Sequence, residues 1–109
     1  ATVLYPPLEG DAGHALFARD FTAAAGLMTV AFQPDILRAQ VEAMVDALEL
    51  FGIGASWGGV ESLALICDLS NRRADADIRP GIHLRLHIGL EDPDDLINDL
   101  NAAMLALGA

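Results

Sequence analysis

Residues 83 to 89 read HLRLHIG. Leu84, Leu86 and Ile88 alternate with His83, Arg85 and His87, the period of two that marks a strand with one apolar face. Such a strand needs sheet neighbours beside it and a layer over its apolar side. The layer is encoded directly downstream. Asp92 suits an N-cap, Pro93 suits the first helical position, and Asp94 and Asp95 suit the positive helix end. Leu96, Ile97, Leu100, Met104 and Leu107 supply an apolar stripe, and Gly108 a stop. A second helix is predicted from Pro34 to Leu50, with Leu37, Val41, Met44, Val45 and Leu48 at intervals of three and four.

The neighbouring strands are also legible. LMTVAFQ at 27–33 and the run from Leu63 to Leu69 are β-rich, and Phe51 to Ile53 reads as a short strand. Residues 1–20, with Pro6, Pro7, Gly10 and Gly13, read as an extended lead-in to a domain spanning 21–109. Ser70 to Gly81 reads as loop. The order strand, helix, two or three strands, helix predicts an α+β fold: a mostly antiparallel sheet with two helices packed on one face. His83, Arg85 and His87 then fall on the other face.

Composition narrows what such a fold can do. The 109 residues carry a net charge of −10, and all six basic residues are Arg. Nucleic-acid binding needs a basic patch; the pair Arg72–Arg73 reads instead as a solvated loop, so no nucleic-acid partner is expected. Without a single Lys, this chain cannot supply an amine for covalent chemistry. No apolar run approaches the roughly 18 residues of a membrane span, and no basic segment leads into a secretory cleavage site. No membrane partner is therefore expected, and cytoplasm is the expected compartment. The apolar fraction of 53% omits the ten glycines, whereas ordinary domains reach about 45–50% with Gly included. The excess points to surface buried against another subunit or another part of the same protein. Cys67 is read as a small buried hydrophobe. The three histidines do not fit zinc spacing with it, so no metal site is expected.

Two features stand out from this background. GIGASWGGVESL at 52–63 places the one Trp of the chain, Trp57, among Gly52, Gly54, Gly58 and Gly59 and beside Ser56. Glycines allow positive φ and close approach, and Trp brings a large apolar area with one N–H. The stretch is either a tight turn packed on an aromatic ring or a wall of a ligand site; form alone favours the turn. Arg85 is the second feature, a charge in mid-strand. Its guanidinium fork suits a carboxylate, although form alone favours an exposed sheet face. His83 and His87 lie about 13 Å apart along the strand, too far to share a metal, and read as structural. Glu91, Asp92, Asp94 and Asp95 read as helix capping rather than acid–base groups, and Glu61 as solvated or capping. No phosphate-binding loop, dinucleotide-binding glycine pattern or nucleophile elbow occurs.

SWGGVESL at 56–63, LRLHIGLEDPDDLINDL at 84–100 and RDFTAAAGLMTVAF at 19–32 resemble the C-terminal region of the trans-sulfuration family of pyridoxal-phosphate enzymes. Within that family, Trp57 after Ser56 and RLHIGLED at 85–92 are most similar to the cystathionine β-lyases. The resemblance implies a fold-type-I enzyme, of which this chain is the small C-terminal α+β domain. It implies pyridoxal 5′-phosphate as the cofactor of the parent, a sulfur amino acid as substrate, and a homotetramer. It further implies that Ser56 and Arg85 hold the substrate α-carboxylate and that Trp57 helps to wall the site.

The departures are equally informative. The family's cofactor lysine, phosphate-cradling loop, ring-stacking aromatic and the acid facing the pyridine nitrogen belong to the large domain and have no counterpart here. The segment between Ile78 and His83 is shorter than in the β-lyases. Ala1 is not a start methionine. The chain is therefore expected to be a fragment, with no catalytic or cofactor-binding residue of its own and no activity alone. The alternatives are another trans-sulfuration activity (γ-lyase, γ-synthase or sulfhydrylase) and a non-catalytic module that keeps the fold.

Overall fold

A computed structural model describes residues 1–73, 76 and 78–108. Five strands form one sheet: β1 (Thr2–Leu4), β2 (Leu27–Ala31), β3 (Gly52–Ile53), β4 (Leu63–Ile66) and β5 (His83–His87). Their spatial order is β1-β2-β5-β4-β3. The expected α+β fold with a mostly antiparallel sheet is borne out, and the single parallel pair is β3 with β4. The alternating strand β5 takes the central place, with Arg85 opposite Thr29 of β2 and Leu65 of β4.

Two helices, α2 (Arg38–Asp46) and α3 (Pro93–Met104), cover one sheet face. Leu84 and Leu86 of β5 pack there with Ala64, Val41, Met44, Val45, Leu96 and Ala103 in the buried core. The stripe of α3 is narrower than its sequence promised. Leu96 is buried, but Ile97 and Met104 are about half exposed and line an apolar cavity of about 390 Å³. Asp92 caps α3 as expected, its carboxylate accepting from the N–H groups of Asp94 and Asp95. The chain then tightens into a 3-10 turn, Leu105–Gly108. Among the described residues no helix is long and apolar enough to cross a membrane.

Several boundaries differ from expectation. Residues 1–20 are not simply extended: β1 joins the sheet edge, and His14–Asp20 form a short helix, α1, with no buried residue. Stacked Phe17 and Phe21 run along it. Nor does α2 begin at Pro34 or reach Leu50. Its start is set by Gln40, whose side-chain oxygen accepts from Leu37 N–H at 2.8 Å while its amide donates to Leu107 O at 2.7 Å. Its end is set by Asp99 of α3. This buried carboxylate accepts from the N–H groups of Glu49 (2.8 Å), Leu50 (2.9 Å) and Phe51 (3.3 Å), drawing them out of helical pairing. The predicted loop over Ser70–Gly81 includes 74, 75 and 77, outside the described residues. β4 ends at Ile66, before the expected Leu69.

The parallel pair creates a topological demand. Parallel neighbours need a connection that leaves one end of the sheet and re-enters at the other, and residues 54 to 62 perform this return without a helix. Its far end is locked by Ser62, which is 1% exposed. Ser62 donates from N (3.0 Å) and Oγ (2.8 Å) to the Glu91 carboxylate, and its Oγ accepts from Gly89 N–H at 2.8 Å. Glu91, expected to cap α3, instead anchors this connection. Gly89 is required there, because a Cβ would overlap the Val60 carbonyl oxygen.

These two anchors make separate predictions. Asp99→Ala orphans three backbone donors and should lower unfolding free energy by about 3 kcal/mol; Asp99→Asn, with one acceptor oxygen, should fall between. Urea denaturation checks the order, and an alanine variant as stable as wild type would refute the anchoring role. For Glu91, the Ser62 N–H, its own backbone N–H and the Ser62 hydroxyl hold the carboxyl below its ordinary value of 4.5. A depressed folded-state pKa stabilises above the unfolded value, and that contribution is lost as pH falls through the folded one. Melting temperatures of wild type and Glu91→Gln should therefore differ most at neutral pH and converge below about pH 4.5. A gap that ignores pH would contradict the account.

Candidate functional site

The sheet face opposite the helices carries the side chains of His83, Arg85 and His87 at alternate positions, as β5 requires. Both histidines are buried and Arg85 is half-buried. His83 Nδ1 lies 3.1 Å from Gly81 O, a structural contact in the next turn. The other two residues reach the return loop.

Arg85 donates from Nη2 to the carbonyl oxygens of Ala55 (2.6 Å) and Ser56 (3.3 Å). His87 meets the same loop further on, with Gly58 N–H donating to Nδ1 at 3.3 Å and Nε2 lying 2.9 Å from Gly59 O. Leu90 N–H then donates to Val60 O at 2.8 Å. The loop thus passes over β4 and is held from β5 at successive positions. Gly58 adopts φ +84° at the crest, a conformation natural to glycine and strained for other residues.

This geometry answers the question posed by the glycines around Trp57. The loop is not a turn packed on an aromatic ring, because Trp57 is 61% exposed. It stands at the crest between the two anchor points, beside the exposed Ser56. The structure brings Ser56, Trp57 and Arg85 together, since the Arg85 guanidinium bonds the Ser56 backbone. Arg85 spends only Nη2 on the loop, leaving Nε and Nη1 without a protein acceptor among the described residues. A carboxylate paired bidentately takes Nη2 together with Nε or Nη1, as Asp20 takes Nε and Nη2 of Arg19, so a carboxylate at Arg85 shares Nη2 with the loop or accepts from Nε or Nη1 singly.

A cavity of about 620 Å³ opens on the same sheet face, with Thr29, Leu65, Cys67, His83 and Arg85 among its lining residues. Arg72 and Arg79 also line it, so three of the six arginines of an acidic chain gather here. Cys67 is half-buried on this wall, rather than a fully buried hydrophobe, because β4 has already ended. Two site residues escaped sequence reasoning. The sequence marks His87 only as structural and Ser62 not at all. Only the proximity of a glycine loop to a charged strand, invisible without pairing, could have singled them out.

Nothing in this arrangement seats a pyridoxal phosphate. The 109 residues contain no lysine, and the groups that converge are one arginine, one buried histidine and loop backbone.

A sequence model of the Cys/Met metabolism PLP-dependent enzyme family matches residues 1–105. The L-alanine/L-glutamate racemase of Wolbachia pipientis wMel is 42% identical, over 96% of this chain and 27% of its own length. The cystathionine beta-lyase of Salmonella typhimurium is 40% identical, over 94% of this chain and 27% of its own. Cystathionine gamma synthase from Xanthomonas oryzae pv. oryzae, solved with cystathionine, superposes with a TM-score of 0.83 at 34% identity. That superposition covers 99% of this chain and 29% of the other. The chain thus spans just over a quarter of the length of the relatives it matches. With its fold, its two sequence motifs and these similarities in agreement, the chain belongs to the Cys/Met metabolism family of PLP-dependent enzymes.

Proposed function

We propose that this chain is the carboxylate-binding, C-terminal part of a PLP-dependent carbon–sulfur lyase that cleaves cystathionine to homocysteine, pyruvate and ammonia. Support comes from the similarity to cystathionine beta-lyases at 40% identity. It comes above all from one observation: Arg85 is held at the loop through Nη2, and its Nε and Nη1 have no acceptor among the described residues. In this reading Arg85 pairs with the substrate α-carboxylate, the Ser56 hydroxyl adds a donor, and the exposed Trp57 walls the substrate side.

Bound pyridoxal phosphate supplies an electron sink for the bond broken at the substrate's Cα. What this chain contributes is orientation. A carboxylate fixed at two oxygens cannot rotate about its own axis, so the remaining bonds at Cα point in set directions. An arginine remote from the broken bond thereby decides which bond breaks. The large domain, the sulfur amino-acid substrate and further subunits of a homotetramer complete the site in this reading.

A second reading has its own support. The 42% identical relative is named a racemase of alanine and glutamate, and racemisation demands the same carboxylate anchor. Assays of the full-length protein with cystathionine, and separately with L-alanine and L-glutamate, divide the two. The trans-sulfuration alternatives, γ-lyase, γ-synthase and sulfhydrylase, enter the same substrate panel.

In that protein, Arg85→Leu should lower kcat/KM by about 10²-fold with a raised KM, the loss of a charge-assisted pair worth about 3 kcal/mol. Unchanged steady-state kinetics would defeat the assignment. The isolated chain, lacking a lysine amine, should show no turnover of cystathionine even with added pyridoxal phosphate; measurable pyruvate release would overturn that expectation.

A further inference from the structure

We infer that His87 is a positioning residue for the carboxylate site, holding the Ser56–Trp57 loop over Arg85 only while its imidazole is neutral with the proton on Nε2. The inference rests on the reading of Arg85 and Ser56 as the carboxylate anchor. Its physical basis is the pair of contacts that His87 makes. Gly58 N–H can only donate, so the Nδ1 it meets must be bare. Gly59 O can only accept, so the Nε2 at 2.9 Å must carry the hydrogen. One of the three protonation forms of imidazole satisfies both. The other tautomer reverses both contacts, and the imidazolium sets an N–H against the Gly58 N–H.

The surroundings reinforce the restriction. The ring is 6% exposed. Its cross-strand neighbours are Leu27 and Leu63, neither titratable. The loop presents the backbone of Gly58 and Gly59 to it. The charged groups near it are Arg85, two residues along the same face, and Glu91 from the turn after β5, close enough to feel its charge. Arg85 grips the loop before Trp57 and His87 grips it after. Releasing the second grip moves the nearest anchor after Trp57 from Gly58 and Gly59 to Val60, whose carbonyl accepts from Leu90 N–H.

Substitutions separate the two bonds. Asn places an oxygen near the position of Nδ1 and keeps the acceptor for Gly58; Leu keeps neither bond. In the full-length protein at pH 8, His87→Leu should raise KM about tenfold while kcat changes less than threefold, and His87→Asn should recover most of the loss. Independently of any substrate, the imidazole ¹⁵N spectrum of the 109-residue chain should report His87 as the Nε2–H tautomer, and the anisotropy of Trp57, its single tryptophan, should be about 1.5-fold lower in His87→Leu than in wild type. An Nδ1–H tautomer, a Trp57 anisotropy unchanged in His87→Leu, or a KM unmoved in His87→Leu would each overturn the inference. Failure of the carboxylate reading is seen elsewhere, as an Arg85→Leu variant with normal kinetics.

Discussion

The grip of β5 on the glycine loop is the interaction on which the rest of the site depends. Parallel β3 and β4 force the chain to cross back over the open sheet face without a helix to satisfy its backbone. Unpaired backbone groups beside a sheet are costly, and β5 with the turn after it answers them in sequence. Arg85 takes two carbonyls, His87 an N–H and a carbonyl, Leu90 a carbonyl, and Glu91 the N–H and hydroxyl of Ser62. Gly89 has no side chain because the loop passes where its Cβ would be. RLHIGLE is therefore one mating surface, and SWGGVES is the segment laid upon it.

The two sheet faces have opposite duties, and β5 serves both by simple alternation. Leu84 and Leu86 bury themselves under α2 and α3, which fixes the strand in the centre of the sheet. That fixity is what makes the polar face useful, since a guanidinium orients a ligand only as well as its own backbone is held. Asp99 contributes at one remove. By ending α2 and receiving the N–H groups of Glu49, Leu50 and Phe51, it delivers the chain into β3 at the place from which the loop departs.

What the sequence disclosed follows from the range of each interaction. β5 and α3 were readable because alternation, capping and proline position are local. The start of α2 was misplaced because Gln40 and Leu107, far apart in sequence, set it together. β1 escaped notice because a three-residue strand exists only by pairing with β2. Polar residues were the hardest: Ser62, Glu91 and Asp99 carry no local sign that their partners lie 29 to 50 residues away. Arg85 could be suspected from propensity alone, whereas Ser56 and Trp57 acquired a role through family resemblance. Their adjacency to Arg85 emerges once β4 and β5 are paired.

The choice of arginine at position 85 is itself a physical argument for the division of labour. A lysine ammonium bonded to Ala55 O would concentrate its donors at one point and spend its charge on the loop. A guanidinium distributes five N–H groups over a rigid plane, so Nη2 can fasten the loop at Ala55 O and Ser56 O while Nε and Nη1 have no acceptor among the described residues. The loop position and the orientation of the whole rigid group are thereby coupled. Anything that shifts the loop, including the grip of His87 two residues along, must shift the fork with it.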